Sequence, residues 1–226
     1  MNTFQKAGGL AALAHAFAYL AGIALAVTLI FPMLDGNTAR YFEFVRDNAF
    51  LMHIWILIAY WSSAIAVIFM ALALYHRLNS RSLLMVQAAT VFGLIWAGLI
   101  IASANLMMND FRVITDLFAK DPALTSTAWT ILEAVENGII SGNELVGSLW
   151  VTLISIAALR KGGLPKALNI LGVILGVLGI ITLSPYPEIL MGVAFTFGMG
   201  MVVWSIGLGI VLLREEPALV SGKNIQ

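Results

Sequence analysis

Glu133, Asn137, Ser141 and Glu144 recur at intervals of four, four and three residues, with Glu136 and Asn143 beside them. That spacing sets acids and amides along one stripe of a helix. Such a stripe can accept a proton, hold a cation or hydrogen-bond a small polar molecule. The chain around it has 226 residues, 61% hydrophobic and only 11% charged, where a soluble domain carries roughly 25% charged. The solvent around such a chain is therefore a bilayer rather than water.

Crossing ~30 Å of hydrocarbon at ~1.5 Å per residue takes about 20 apolar residues. Uncharged runs cover Ala7 to Leu34, Asn48 to His76, Ser82 to Asn109, Leu145 to Leu159, Ala167 to Pro187 and Ile189 to Leu213. The fourth reaches span length only by extending back through Glu144 to about Ile139, which brings that carboxyl group inside the membrane. The sequence thus predicts an all-α polytopic transmembrane helix bundle. It forms a single integral-membrane domain over residues 1–226, with six spans at about 7–31, 51–75, 83–108, 137–159, 167–184 and 189–213.

Ala7 to Phe31 runs on without a small-residue cleavage site and reads as the first span rather than a signal peptide. Lys6, Arg77, Arg81, Arg160, Lys161, Lys166, Arg214 and Lys223 fall on one side of these spans, and Arg40, Arg46, Arg112 and Lys120 on the other. The first group occupies short connections, so both termini are expected in the cytoplasm. Two outer connections carry short amphipathic patterns. Tyr41, Phe44 and Val45 lie opposite Glu43, Arg46 and Asp47, and Phe111, Ile114, Leu117 and Phe118 lie opposite Arg112, Asp116 and Lys120. Both are expected to be helices lying flat near the outer headgroups, the alternative being ordered loops that cap the bundle.

Helix contacts in lipid form where small residues allow close approach. Ala14, Ala18, Gly22 and Ala26 make one such ridge, Gly138 and Gly142 another, Gly172 and Gly176 a third. Any of them could serve a homodimer or a larger membrane complex. The turn Gly162-Gly163-Leu164-Pro165-Lys166 leads into Leu168, Leu171 and Gly172, and the second span ends in Ala71-Leu72-Ala73-Leu74-Tyr75 before a basic turn. In these segments the chain resembles the bacterial multi-pass membrane proteins grouped as domain of unknown function 4386. The resemblance implies a bacterial inner-membrane helical protein and transfers no activity or catalytic residue.

Helical rise gives each polar group a depth. Glu144 lies 16 residues before Arg160, ~24 Å into the core, Tyr60 lies ~26 Å from Arg77, and His53 and Asn105 come out at ~36 Å. Glu133, Glu136 and Asn137 sit at or above the outer boundary. A carboxylate turned to lipid near the membrane centre costs ~2.5 kcal/mol or more, so the stripe is expected to face the bundle. The expected site is an outward-open polar cleft formed by Glu144, Asn143, Asn137 and Glu136, with Asn105, Tyr60 and His53 from neighbouring helices. One reading has it bind or transport a small polar or cationic ligand, or pass a proton, with Glu144 the deepest acceptor. The other makes Glu144 a packing group bonded to Asn105 or Tyr60 in a structural or accessory subunit.

A membrane enzyme ranks third. The sequence has no nucleophile elbow, zinc-protease motif, phosphate loop or dinucleotide glycines, and Ser62 and Ser63 lie too deep to pair with His53. His15, His53 and His76 fall at three different depths, so no axial haem pair forms. His53 with Glu133 and Glu136 lacks metal-ligand spacing, so neither a cofactor nor a metal is expected. His15, one turn before Tyr19, reads as a histidine hydrogen-bonded between helices. The absence of cysteine excludes disulfides and thiol chemistry, and zero net charge gives no cause to expect nucleic acid. Residues 7–76 and 82–159 repeat as like-facing hairpins, unlike the inverted halves of many transporters.

Overall fold

The computed structural model describes residues 3–33, 37–79, 83–184 and 187–214, with backbone only at 83, 140–142 and 187–191. Every element among them is helical. Helix α1 (Thr3–Leu25) runs on through a π turn at Ala26–Ile30 and a 3-10 turn at Phe31–Met33. After α2 (Thr38–Asp47), α3 (Ala49–Ile56) passes through a second π turn at Leu57–Trp61 into α4 (Ser62–Leu78). Then follow α5 (Leu83–Phe118), α6 (Pro122–Lys161), α7 (Lys166–Ile181) and α8 (Pro187–Leu213).

Five helices are long and apolar enough to cross a membrane: Thr3–Met33, Ala49–Leu78, Leu84–Phe118, Pro122–Lys161 and Gly192–Leu213. The remaining predicted span is the shorter α7, whose 16 residues rise ~24 Å. Each of these helices leaves large apolar side chains facing outward, among them Phe17, Phe69, Val91, Ile131, Ile174 and Val203. A soluble bundle would carry charge on those faces; here they suit lipid.

The helices close into a ring in which α1 packs on α4, α4 on α5, α5 on α6, α6 on α7, α7 on α8, and α8 back on α1. Glycines set the closest crossings. A Cβ on Gly9 would lie 3.2 Å from the Gly209 carbonyl oxygen, and one on Gly22 would lie 2.6 Å from the Ala59 Cβ. Gly172, Gly176 and Gly179 of α7 lie against Ser155, Thr152 and Ser148 of α6, a close run of small residues on both sides. Of the predicted ridges, Ala18, Gly22 and Ala26 are buried while Ala14 is exposed, and Gly138 faces open space. The Gly142 side of that ridge lies outside the described side chains.

Indoles fill the middle of the ring. Trp150 is fully buried, with ring centroids 5.4 Å from Trp96 and 5.5 Å from Trp204. At one end of the bundle the Arg77 Nε donates to the Gly163 carbonyl at 2.8 Å, tying α4 to the α6–α7 turn. That turn needs its glycines, since Gly162 and Gly163 have φ of 78° and 110°.

At the opposite end the outer segments differ from expectation in one respect. Residues 38–47 do form a helix, begun by the Asn37 side chain accepting from the Arg40 N–H at 3.2 Å. Its buried face is Tyr41, Phe42 and Val45, and it packs on α5 and on Trp129 of α6. Residues 111–118 are no separate surface helix but the last turns of α5. No glycine or proline falls between Leu99 and Asp121 to stop it, so the helix continues past Asn109, where the uncharged run ends. The chain reverses at Asp121, whose carboxylate accepts from the Leu124 N–H at 3.0 Å, with Pro122 in the first turn of α6. Burial, and then the charges of Glu136 and Glu133, raise the pKa of the Tyr41 phenol above its usual value.

Candidate functional site

Inside the ring lies a cavity of about 320 Å³ bounded by α1, the α3–α4 helix, α5, α6 and α8. The two π turns stand beside it. In each, the N–H after the turn reaches back five residues, from Phe31 to the Ala26 carbonyl and from Ser62 to that of Leu57. The extra residue per turn shifts the side chains that follow relative to an unbroken α-helix. Ala26, Phe31, Ala59 and Tyr60, all in or next to these turns, line the cavity.

Glu144 and Asn143 come to the wall from α6, and Tyr60 from the second π turn. These three are the predicted site residues that the fold brings together. Glu144 lies near Thr182 at the end of α7, whose hydroxyl donates to the Gly179 carbonyl at 2.6 Å, and among the described residues it has no hydrogen bond to Asn105 or Tyr60. Asn143 Oδ1 is buried with no partner among the described residues. Of the other predicted residues, Asn105 and Asn137 are exposed and outside the lining. His53 donates from Nδ1 to the Ala49 carbonyl at 2.7 Å, within its own helix. Glu136 is half-buried nearer the α2 end and lies within electrostatic range of Tyr60, Glu133 and Asp110. Ser141 lies outside the described side chains.

The inward line of α6 runs through Glu136, Asn143, Gly147, Trp150 and Ile154, while Glu133 and Asn137 point away. The stripe read from the sequence is therefore rotated by about one residue. Acids and amides at 133 and 137 project where α6 has already left the ring, and there solvent tolerates them.

Several lining residues come from positions the sequence did not single out as a site. Tyr19 lies close to Glu144 and to Tyr60, and its ring packs against Gly198, whose added Cβ would lie 2.6 Å from the Tyr19 hydroxyl. The indole of Trp55 is fixed by donating to the Gly22 carbonyl at 3.0 Å, and its ring meets Tyr60 edge to face at 5.8 Å. Trp96 and Phe197 complete an aromatic wall. His15 also reaches the cavity and is hydrogen-bonded to Ser205 of α8 at 3.1 Å, between two helices as its position suggested.

A second buried acid stands at the other end of α5. Asp110 is 1% exposed, and neither carboxylate oxygen has a hydrogen-bond partner among the described residues. It lies near Glu136. Glu136 is within electrostatic range of Asp110 and Tyr60, and Tyr19 of Tyr60 and Glu144. Among the described residues no group of three or more histidines or acids is placed to hold a metal ion.

The chain's helices give it the makeup of an integral membrane protein. Compared with protein families, curated proteins and solved structures, it matches none.

Proposed function

We propose that this protein binds or passes a small polar or cationic ligand, or a proton, through the cavity in its helix ring, with Glu144 as the acceptor. The observation that supports this is a carboxylate on the wall of a cavity of about 320 Å³ with no lysine or arginine among the described lining residues. An acid kept inside a membrane bundle without a basic partner is costly, and such groups mark ion and substrate sites. Asp110 and Glu136 place two further acids toward the α2 end of the bundle. Around this reading we place a six-span protein of a bacterial inner membrane, as the resemblance at Gly162–Lys166 implies, with α7 as the fifth span and both termini cytoplasmic.

A second reading rests on the nearness of Glu144 to Thr182 of α7. It makes the carboxyl a brace between α6 and α7 in a structural or accessory subunit. Glu144→Gln separates the two. A ligand or proton site loses its dependence of thermal stability on cations or pH while the folded protein is retained, because glutamine keeps size and hydrogen bonding but not charge. A brace leaves both properties nearly unchanged. Orientation is tested with Asn37→Cys and Asn79→Cys in intact cells and an impermeant thiol reagent. Only Asn37→Cys is expected to react, and labelling of Asn79→Cys alone or of both would reverse or refute the assignment.

A further inference from the structure

The cavity wall carries more information than its single charge. Tyr19, Phe31, Trp55, Tyr60, Trp96 and Phe197 supply six aromatic rings around one carboxylate, with His15 hydrogen-bonded to Ser205 beside them and neither lysine nor arginine among the described lining residues. We propose that the site takes an organic ammonium ion, an alkylated amine small enough for the cavity. This rests on the reading that Glu144 is a ligand site and names the ligand's chemical class.

Three physical arguments converge. First, the volume of about 320 Å³ is at the low end for small-molecule sites and far exceeds a bare metal ion. Second, an alkali or alkaline-earth ion stripped of water needs about six oxygen ligands. Here Glu144, Asn143, Tyr19, Tyr60 and Ser63 are the described lining side chains that carry oxygen, so such an ion would need every one of them turned onto it at once, the Ser63 hydroxyl that donates to the Ala59 carbonyl at 2.6 Å included. Third, aromatic faces attract a diffuse organic cation through their quadrupoles, and they do so most where water is excluded. An apolar pocket for a neutral molecule would have no use for Glu144. A zwitterion or anion would call for a lysine or arginine, and the described lining residues include neither.

The rings are also held in place before any ligand arrives. Trp55 is bonded to Gly22 and meets Tyr60 edge to face, Tyr19 rests on Gly198, and Trp96 lies over Gly147, where a Cβ would come within 2.7 Å of the indole. A cage already assembled loses little side-chain freedom on binding.

The test uses the full-length protein in detergent with choline and its uncharged isostere 3,3-dimethyl-1-butanol as probes, at constant ionic strength. Choline is expected to raise the melting temperature saturably and to bind at least tenfold more tightly than the alcohol, and Glu144→Gln should abolish the difference. Tyr60→Phe keeps the ring and should bind choline as the parent does. Tyr60→Leu, and Phe31→Leu at the exposed rim where folding is not at stake, should weaken it by about 2- to 30-fold each. Equal binding of choline and the alcohol overturns the inference, as does full affinity in both leucine variants. Should choline fail while sodium or pH still shifts stability in a Glu144-dependent way, the ammonium class is wrong and the Glu144 site stands. If no probe has a Glu144-dependent effect, both fall.

Discussion

Trp150→Ala is expected to lower the unfolding free energy by about 3 kcal/mol, the low end for removing a buried tryptophan side chain. The low end applies because unpacked helices remaining in lipid do not expose the site to water, so the loss is packing and not transfer. Trp150 is fully buried between Trp96 and Trp204, and it sits on Gly93, whose added Cβ would come within 2.8 Å of the indole. Nothing nearby can close the space. Trp150→Phe should cost much less, since the Nε1 it removes is buried without a partner among the described residues. Denaturation by SDS in mixed micelles measures both, and an alanine variant as stable as the parent would mean that the indole stack does not hold the ring together.

Gly176→Leu should be as damaging for the opposite reason. A side chain there meets the Thr152 hydroxyl and comes within 3.3 Å of the Ser148 carbonyl oxygen, which is backbone and cannot rotate away. Helices α6 and α7 must part, at a cost of about 3 kcal/mol, the upper end for overpacking. Because Glu144 stands near Thr182 across this contact, the carboxylate also loses its neighbour. Gly98→Leu is the control, since a Cβ there meets nothing within 4 Å. The expected result is a monodisperse, stable Gly98→Leu protein and a Gly176→Leu protein that unfolds early or aggregates on size exclusion. Equal behaviour of the two would show that the α6–α7 contact tolerates separation.

The helices were legible because uncharged length is a direct record of what each segment can bury. Their ends were less so. Counting from charge to charge stops α5 at Asn109, yet a helix ends at a breaker and not at a charge, and none occurs before Asp121-Pro122. Asp110 accordingly reads as an outer loop residue in the sequence and is buried mid-helix in the fold. Glu144 and Tyr60 could be found from depth alone, as polar groups too far inside to be solvated. Tyr19, Trp55 and Trp96 could not, because aromatic residues in an apolar helix look the same whether they face lipid, core or cavity. The π turns leave no mark either: Ala26–Ile30 and Leu57–Trp61 contain neither glycine nor proline. The phase of α6 slipped for a related reason. A stripe of polar residues shows which side of a helix is polar, while the glycine at 147 and the indole at 150 show which side is packed, and in α6 the two differ by about one residue.

The lengths of α5 and α6 have a practical consequence. At 36 and 40 residues they rise roughly 54 and 60 Å, well beyond a ~30 Å hydrocarbon layer. Their joined ends, with α2 against them through Phe42, Phe118 and Trp129, therefore exceed one hydrocarbon thickness by roughly 20 Å. For a chain of 24.3 kDa that excess length is an epitope an antibody fragment can grip, and with it a fiducial by which images of so small a protein can be aligned.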